Sequence, residues 1–195
     1  MLSRAPRLLR PANYPEGNPG RGLYVGETAA GIPVATINLE GLVFMSNLES
    51  PFRTADRLLA GLDSRVKVIL VDFHAEATSE KESLAHYLDG RISALVGTHT
   101  HVPTADERVL PGGTAYMSDA GMCGNYQSVL GMDIEEPINR FLTKIPKNRF
   151  EPASGPATLS GLAIEIDDKN GHATRVKALR MGGVLSPSTP DFWLD

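Results

Sequence analysis

Two short apolar runs constrain this fold more than any other part of the chain: Val66-Lys67-Val68-Ile69-Leu70-Val71-Asp72-Phe73 and Ile92-Ser93-Ala94-Leu95-Val96. A nearly continuous apolar run suits a central parallel strand, because other layers cover both of its faces. Between the runs lies a helix-like segment. Ser79 and Glu82 have the spacing of a capping box, Leu84, Ala85, Tyr87 and Leu88 line one side, and Asp89-Gly90 supplies a stop. Strand, helix and strand make a βαβ unit whose crossover is expected to be right-handed. Both strands then point the same way, and their carboxyl ends share one edge of the sheet. In open α/β sheets that edge is where ligands bind.

The flanking segments fit around this unit. Residues 11–22 hold three prolines and three glycines, which excludes helix and central strand. Leu23 to Glu27 and Ile32 to Leu39 read as strands about a turn at Ala30-Gly31. Pro51-Phe52 opens a helix running to about Leu62, with Pro51 suited to a first turn. Further on, Glu107 to Leu110 and Thr114 to Ser118 read as a hairpin around Pro111-Gly112-Gly113. Ile134 to Leu142 reads as a short helix broken by Pro137, and Ala157 to Ile166 with Ala173 to Arg180 as a last hairpin across Asp168-Lys169-Asn170-Gly171. The fold class is therefore α/β, a layered sandwich with mixed sheets, a parallel pair at the ligand edge and antiparallel hairpins after it. Residues 182–195 are expected to form a loose tail.

Composition excludes several function classes. A net charge of -4 gives no field to attract DNA or RNA, and no basic stripe interleaves with aromatics. The single cysteine, Cys123, permits neither an intrachain disulfide nor a thiolate zinc cluster, and a reducing, cytoplasmic location is expected. Cys123 itself reads as a packing residue. No apolar run approaches the roughly 20 residues of a membrane-spanning helix. The start, residues 1–10, is basic and acid-free but lacks the apolar centre of a secretory signal.

Histidine placement carries the chemistry. Of five histidines, His74 follows the first run directly, and His99 and His101 follow the second within Gly97-Thr98-His99-Thr100-His101. If residues 99–101 stay extended, His99 and His101 project to one side, and three imidazoles converge at the shared edge. Neutral imidazole suits divalent transition ions, so His74, His99 and His101 are the candidate metal ligands. His86 and His172 read as solvated. Asp72, Glu76, Asp106 and Asp119 are the nearby carboxylates, Asp72 as a strand-end acid, Glu76 as a loop cap, Asp106 as a partner of Arg108 or Arg91. None is expected to bridge two ions. The glycine-rich residues 121–131 read either as a phosphate cradle or as a plain turn, without dinucleotide or P-loop spacing.

Several blocks together resemble the bacterial YmdB-like metallophosphoesterases of the calcineurin-like superfamily. They are Leu8-Leu9-Arg10-Pro11-Ala12-Asn13-Tyr14-Pro15, Val71-Asp72-Phe73-His74-Ala75-Glu76-Ala77-Thr78-Ser79-Glu80-Lys81, Gly97-Thr98-His99-Thr100-His101-Val102 and Thr104-Ala105-Asp106-Glu107-Arg108. Gly113-Thr114-Ala115-Tyr116 and Ser128-Val129-Leu130-Gly131-Met132 fit as well. The resemblance implies hydrolysis of phosphodiesters, cyclic nucleotides among them, at a dinuclear centre of iron or manganese, with zinc also compatible. It implies that His74 and His99 serve one ion and His101 the other. The family's Gly-Asp, Gly-Glu-Asn and Gly-Asn-His motifs, the last with the catalytic histidine, are absent from the 195 residues. The chain is thus expected to be one incomplete domain over residues 1–195, the family's carboxyl-terminal portion without its first strands and nearly inactive alone. Its expected partners are a small phosphodiester substrate, a complementing N-terminal half or a second copy. The alternatives are a non-catalytic remnant that binds a partner and a single-metal hydrolase using the three histidines.

Overall fold

The computed structural model describes residues 4–193. A six-stranded mixed sheet forms its centre. It contains β1 (Leu23–Glu27), β2 (Pro33–Glu40), β3 (Val68–His74), β4 (Ala94–Thr98), β5 (Arg108–Val109) and β6 (Ala115–Met117), in the order β1-β2-β3-β4-β6-β5. The four inner strands β2, β3, β4 and β6 are parallel, and β1 and β5 close the two sides antiparallel. Helix α1 (Pro51–Ala60) links β2 to β3, and α2 (Thr78–Leu88) links β3 to β4. Helix α3 (Glu135–Thr143) follows β6, and a hairpin of β7 (Thr158–Ile166) and β8 (Ala173–Gly182) forms a second sheet. The expected α/β architecture with mixed sheets is present.

Strand alternation sorts the side chains into layers. Ile37, Leu39, Val71, Phe73, Leu95 and Tyr116 face one way and bury against Ala55, Leu84, Ala85 and Leu88 of α1 and α2. Fully burying a side chain such as Phe73 stabilises the fold by about 1.5–3 kcal/mol. On the other face Leu70, Ala94 and Ala115 meet Ile164, Ile166 and Val176 of the β7–β8 hairpin. Toward the carboxyl ends of the strands that face carries Asn38, Asp72, His74 and Thr98, paired in register across β2, β3 and β4.

Several local expectations are corrected. The capping box does not form: α2 begins at Thr78 with Ala77 as its uncapped N-cap, and Glu82 instead reaches Arg108 at 2.8 Å. Tyr87 stays half exposed and bonds Asp56. Pro137 does not break α3. It lies in the helix's first turn, where a missing N–H costs nothing. Cys123 is exposed rather than packed, its thiol reaching only the Ser160 carbonyl. Part of the segment expected to be loose folds back, since Ser188 exchanges backbone hydrogen bonds with Arg180 of β8. Residues 194–195 of that segment and residues 1–3 of the basic start lie outside the described residues. Among the described residues no helix is long and apolar enough to cross a membrane.

The proline- and glycine-rich residues 11–22 are held firmly. Asn13 is fully buried, accepts the Glu40 N–H and donates to the carbonyls of Glu40 and Glu49. Gly22 passes so close to Ala12 that a Cβ there has no room, 2.2 Å from the Ala12 Cα.

Candidate metal centre

The carboxyl ends of β3 and β4 bring two of the three candidate histidines together. His74, the last residue of β3, sits across from Thr98, the last of β4, and the next residue, His99, swings back over it. His74 Nε2 lies 3.1 Å from His99 Nδ1, with the rings edge-on at 4.9 Å between centroids. The parallel pairing sets His74 beside Thr98, and the positive φ of His99 turns its ring back over His74.

The outer nitrogens fix what the inner ones can do. The Thr98 hydroxyl donates to Asp72 Oδ1 at 3.4 Å, so its oxygen accepts from His74 Nδ1 at 3.0 Å. That places the His74 proton on Nδ1 and leaves a lone pair on Nε2, a tautomer assigned from its partners. Asp72 in turn accepts from the Asn38 amide at 2.7 Å. His99 Nε2 lies 2.8 Å from Glu76 Oε2 and must donate there, leaving the Nδ1 lone pair. Two lone pairs therefore face each other across 3.1 Å. Such a contact is repulsive unless a cation, a proton or a metal ion, sits between them. Metal–nitrogen bonds of about 2.0–2.1 Å set two ligands of one ion roughly 3 Å apart, so this donor pair fits a single divalent ion. Each histidine also has the outer-sphere acceptor that ligating histidines use.

Electrostatics favour the ligating form of His74. Burial lowers its pKa below the ordinary 6.5, and the neighbouring His99 and Lys81 push the same way against Glu40 and Asp72. The imidazole is thereby held neutral, which metal binding requires.

His101 goes elsewhere. The backbone does not stay extended past Thr98: His99 has φ +134° and His101 φ +66°, both in the left-handed region where non-glycine residues are uncommon. Alternation no longer applies, and the two side chains do not share a side. His101 Nδ1 donates to the Leu130 carbonyl at 3.2 Å, and its Nε2 keeps a lone pair on an exposed ring. Among the described residues no three His, Cys, Asp or Glu side chains converge on one point. The expectation of three converging imidazoles is thus replaced by a facing pair and a separate third.

The carboxylates take structural partners. Glu76 is the acceptor for His99 rather than a loop cap. Asp106 accepts from the Ser118 amide and hydroxyl and approaches Arg108 at 3.7 Å, while Arg91 pairs with Asp56. Much of the glycine-rich segment is bonded as a turn: the Gly121 and Gln127 amides donate to Asp119 and Asn125 side chains, Gly124 to Thr158 and Gly131 to Ser128. The sequence reads Thr98 and Thr100 as residues that fix the loop or contact a ligand; it does not foresee that the Thr98 hydroxyl orients His74. The ends of the two parallel strands, which set Thr98 level with His74, were the available signal.

Beside His101 opens an apolar recess of about 430 Å³, with Leu130, Met132, Phe141 and Phe150 in its walls together with Arg140 and Lys144. Arg140 stacks over Phe150 at 4.0 Å and Lys144 lies over Phe141 at 5.5 Å.

The comparisons agree with the fold. The residue pattern of the YmdB-like protein family matches residues 1–179. A relative from Bacillus subtilis (strain 168), named 2',3'-cyclic-nucleotide 2'-phosphodiesterase, is 53% identical over 179 residues, which are 91% of this chain and 67% of the relative. A crystal structure of a hypothetical protein from Thermus thermophilus superposes with a TM-score of 0.86 at 41% identity, covering 93% of this chain and 70% of that one. A crystal structure described as a novel phosphatase from Mycoplasma pneumoniae superposes at 0.84 with 31% identity, covering all of this chain and 69% of that one. The chain thus spans about two thirds of the length of each. With histidines at two parallel strand ends and a match over 179 residues, the chain belongs to the YmdB-like protein family.

Proposed function

We propose that this chain contributes the histidine half of a metal-dependent phosphodiesterase centre acting on cyclic nucleotides. One observation carries the reading: the lone pairs of His74 Nε2 and His99 Nδ1, each fixed by an outer acceptor, face each other at a separation that one divalent ion spans. His101 offers its Nε2 to a second ion. Iron or manganese suits imidazole with oxygen donors, and zinc is compatible. When bound, the ions supply Lewis acidity toward water and the phosphoryl oxygens.

The chain's own residues do the rest. Thr98 and Glu76 hold the two tautomers, and Lys81 behind the site disfavours protonated His74. The apolar recess next to His101 suits a heterocyclic base, with Phe141 and Phe150 offering ring faces and Arg140 and Lys144 a positive environment for phosphate. That recess favours a nucleotide over a plain alkyl phosphodiester. The 2',3'-cyclic nucleotides named for the Bacillus subtilis relative are the first substrates to test.

A bridging carboxylate and a general acid are still required, and the motifs expected to carry them do not occur in this sequence. We assign them to a segment bearing Gly-Asp, Gly-Glu-Asn and Gly-Asn-His, joined to this chain or supplied by another. The test is metal content by plasma mass spectrometry together with 2',3'-cyclic AMP hydrolysis, with and without that segment. The reading expects at most one ion and slow turnover for the 195 residues alone, and two ions with full turnover once the segment is present. Two ions and full turnover without it contradict the assignment. Metal-free protein in both conditions contradicts the metal centre itself.

A further inference from the structure

The most deeply buried ion pair among the described residues stands directly behind the histidines. Lys81 of α2 and Asp119, just after β6, each expose 2% of their side chains and meet at 3.4 Å. Burying two charges costs solvation that their attraction does not reliably restore, so such a pair is weak evidence of stabilisation and asks for another reason. Its other contacts supply one. Asp119 Oδ2 also accepts the Thr100 N–H at 2.8 Å, and Oδ1 accepts the Gly121 N–H at 2.9 Å.

Thr100 is the residue between His99 and His101, both of which carry positive φ. Residues in sparsely populated backbone regions persist only where their surroundings over-determine them. Here the tie is a charge-assisted hydrogen bond from the middle of the strained turn to a buried carboxylate, the strong kind of hydrogen bond. The carboxylate is anchored in turn. Its own backbone is clamped by Thr104, whose N–H and hydroxyl both donate to the Asp119 carbonyl, and Ala120 N–H donates to the Gly97 carbonyl. Gly97 leaves no room for a Cβ, which would lie 1.9 Å from the Ser118 carbonyl oxygen and 3.0 Å from Lys81 Cδ. The base of the histidine turn and the segment after β6 that carries Asp119 are therefore packed against each other with Lys81 wedged beside them.

We propose that Asp119 is a positioning residue for the ligand histidines, its carboxylate anchored by Lys81 so that it faces the turn. It fixes the backbone at Thr100 so that His99 folds back onto His74 while His101 faces the recess. Neither residue touches an ion or a substrate. The proposal rests on the metal-centre reading for its function, but its structural core stands apart from metal.

The experiment separates the two. In the unaltered chain, a through-hydrogen-bond coupling between the Thr100 amide nitrogen and the Asp119 carboxylate carbon, with slow Thr100 amide exchange, is the expected signature. A fast-exchanging Thr100 without that coupling overturns the proposal, whatever any variant does. The double variant Lys81→Met with Asp119→Asn then removes both buried charges at similar volume and avoids stranding either one. Its melting temperature should stay within a few degrees of the parent, while Thr100 exchanges at least tenfold faster and Mn²⁺ affinity falls at least tenfold. Exchange and affinity unchanged in a folded double variant overturn the proposal. A general loss of fold assigns the pair to stability and overturns it as well. If the parent binds no Mn²⁺, the metal reading fails, and the Thr100 exchange still decides whether Asp119 holds the turn.

Discussion

His74 ends β3 and His99 follows β4, 25 residues apart, and they meet at 3.1 Å, whereas His99 and His101 are separated by one residue and part company. The difference lies in what controls direction. His74 and Thr98 end two parallel strands in register, so the sheet itself sets their relation. Beyond Thr98 the sheet has no say, and the turn's course is set by positive φ values and by the grip of Asp119 on the Thr100 amide. Distance along a chain is a poor guide to convergence where backbone regularity stops. The same contrast separates their surroundings: the facing pair is partly buried against polar acceptors, and His101 opens onto the apolar recess.

The comparison can be broken by substitution. His74→Ala or His99→Ala removes a ligand from the facing pair and should lower affinity for the first ion by more than about a hundredfold, beyond the roughly 10–100-fold cost of losing an outer partner. His101→Ala should leave that affinity within a few fold, measured by calorimetric titration with Mn²⁺. Equal losses for all three would show that they share one ion after all. Thr98→Val and Glu76→Ala keep the ligands and remove only the tautomer control. Each is expected to weaken binding by roughly 10–100-fold, and unchanged affinity would sink the lone-pair argument.

Acidity sharpens the contrast further. The His74 pKa is lowered in the fold, first by burial, so the protonated ring is disfavoured there. A depressed folded pKa contributes stability that is full above the ordinary 6.5 and is lost as pH falls through the lowered value. Metal retention follows the same sense: complete at neutral pH and weakening on the acid side, below about pH 6. Affinity that stays flat between about pH 5 and 8 would falsify ligation by neutral imidazole. The smallest effect belongs to the recess. Phe141 is 77% exposed, so Phe141→Ser should change stability by no more than about 0.5 kcal/mol in a denaturant titration. In the loaded enzyme it should raise KM for a 2',3'-cyclic nucleotide and leave kcat nearly untouched; an unchanged KM removes the base from the recess.

Much of this was legible in the residues, and the misses have identifiable causes. The apolar runs and the helical spacing between them gave β3, α2 and β4, because burial on both faces leaves a strong and simple pattern. The edge shared by His74 and Thr98 followed from the parallel crossover alone. Capping chemistry was less legible. Ser79 and Glu82 have the spacing of a box, yet tertiary demand for Glu82 at Arg108 outweighed a local hydrogen bond. The turn at residues 99–101 could not be read, since its course depends on Asp119, far along the chain, finding Lys81 in the interior. Asp119 appeared in the sequence as one carboxylate among several. Only its burial and its two amide contacts distinguish it from Asp106, Glu76 and Asp72.

The central claim is that His74 Nε2 and His99 Nδ1 hold one ion between them. Titration with diamagnetic Zn²⁺ followed by proton and nitrogen NMR of the five histidine rings tests it most directly. The account predicts that the first increments shift His74 and His99 together, at Nε2 and Nδ1 respectively, while His86, His101 and His172 hold still. Movement of His101 with either of them at the first increments, or of neither member of the pair, contradicts it.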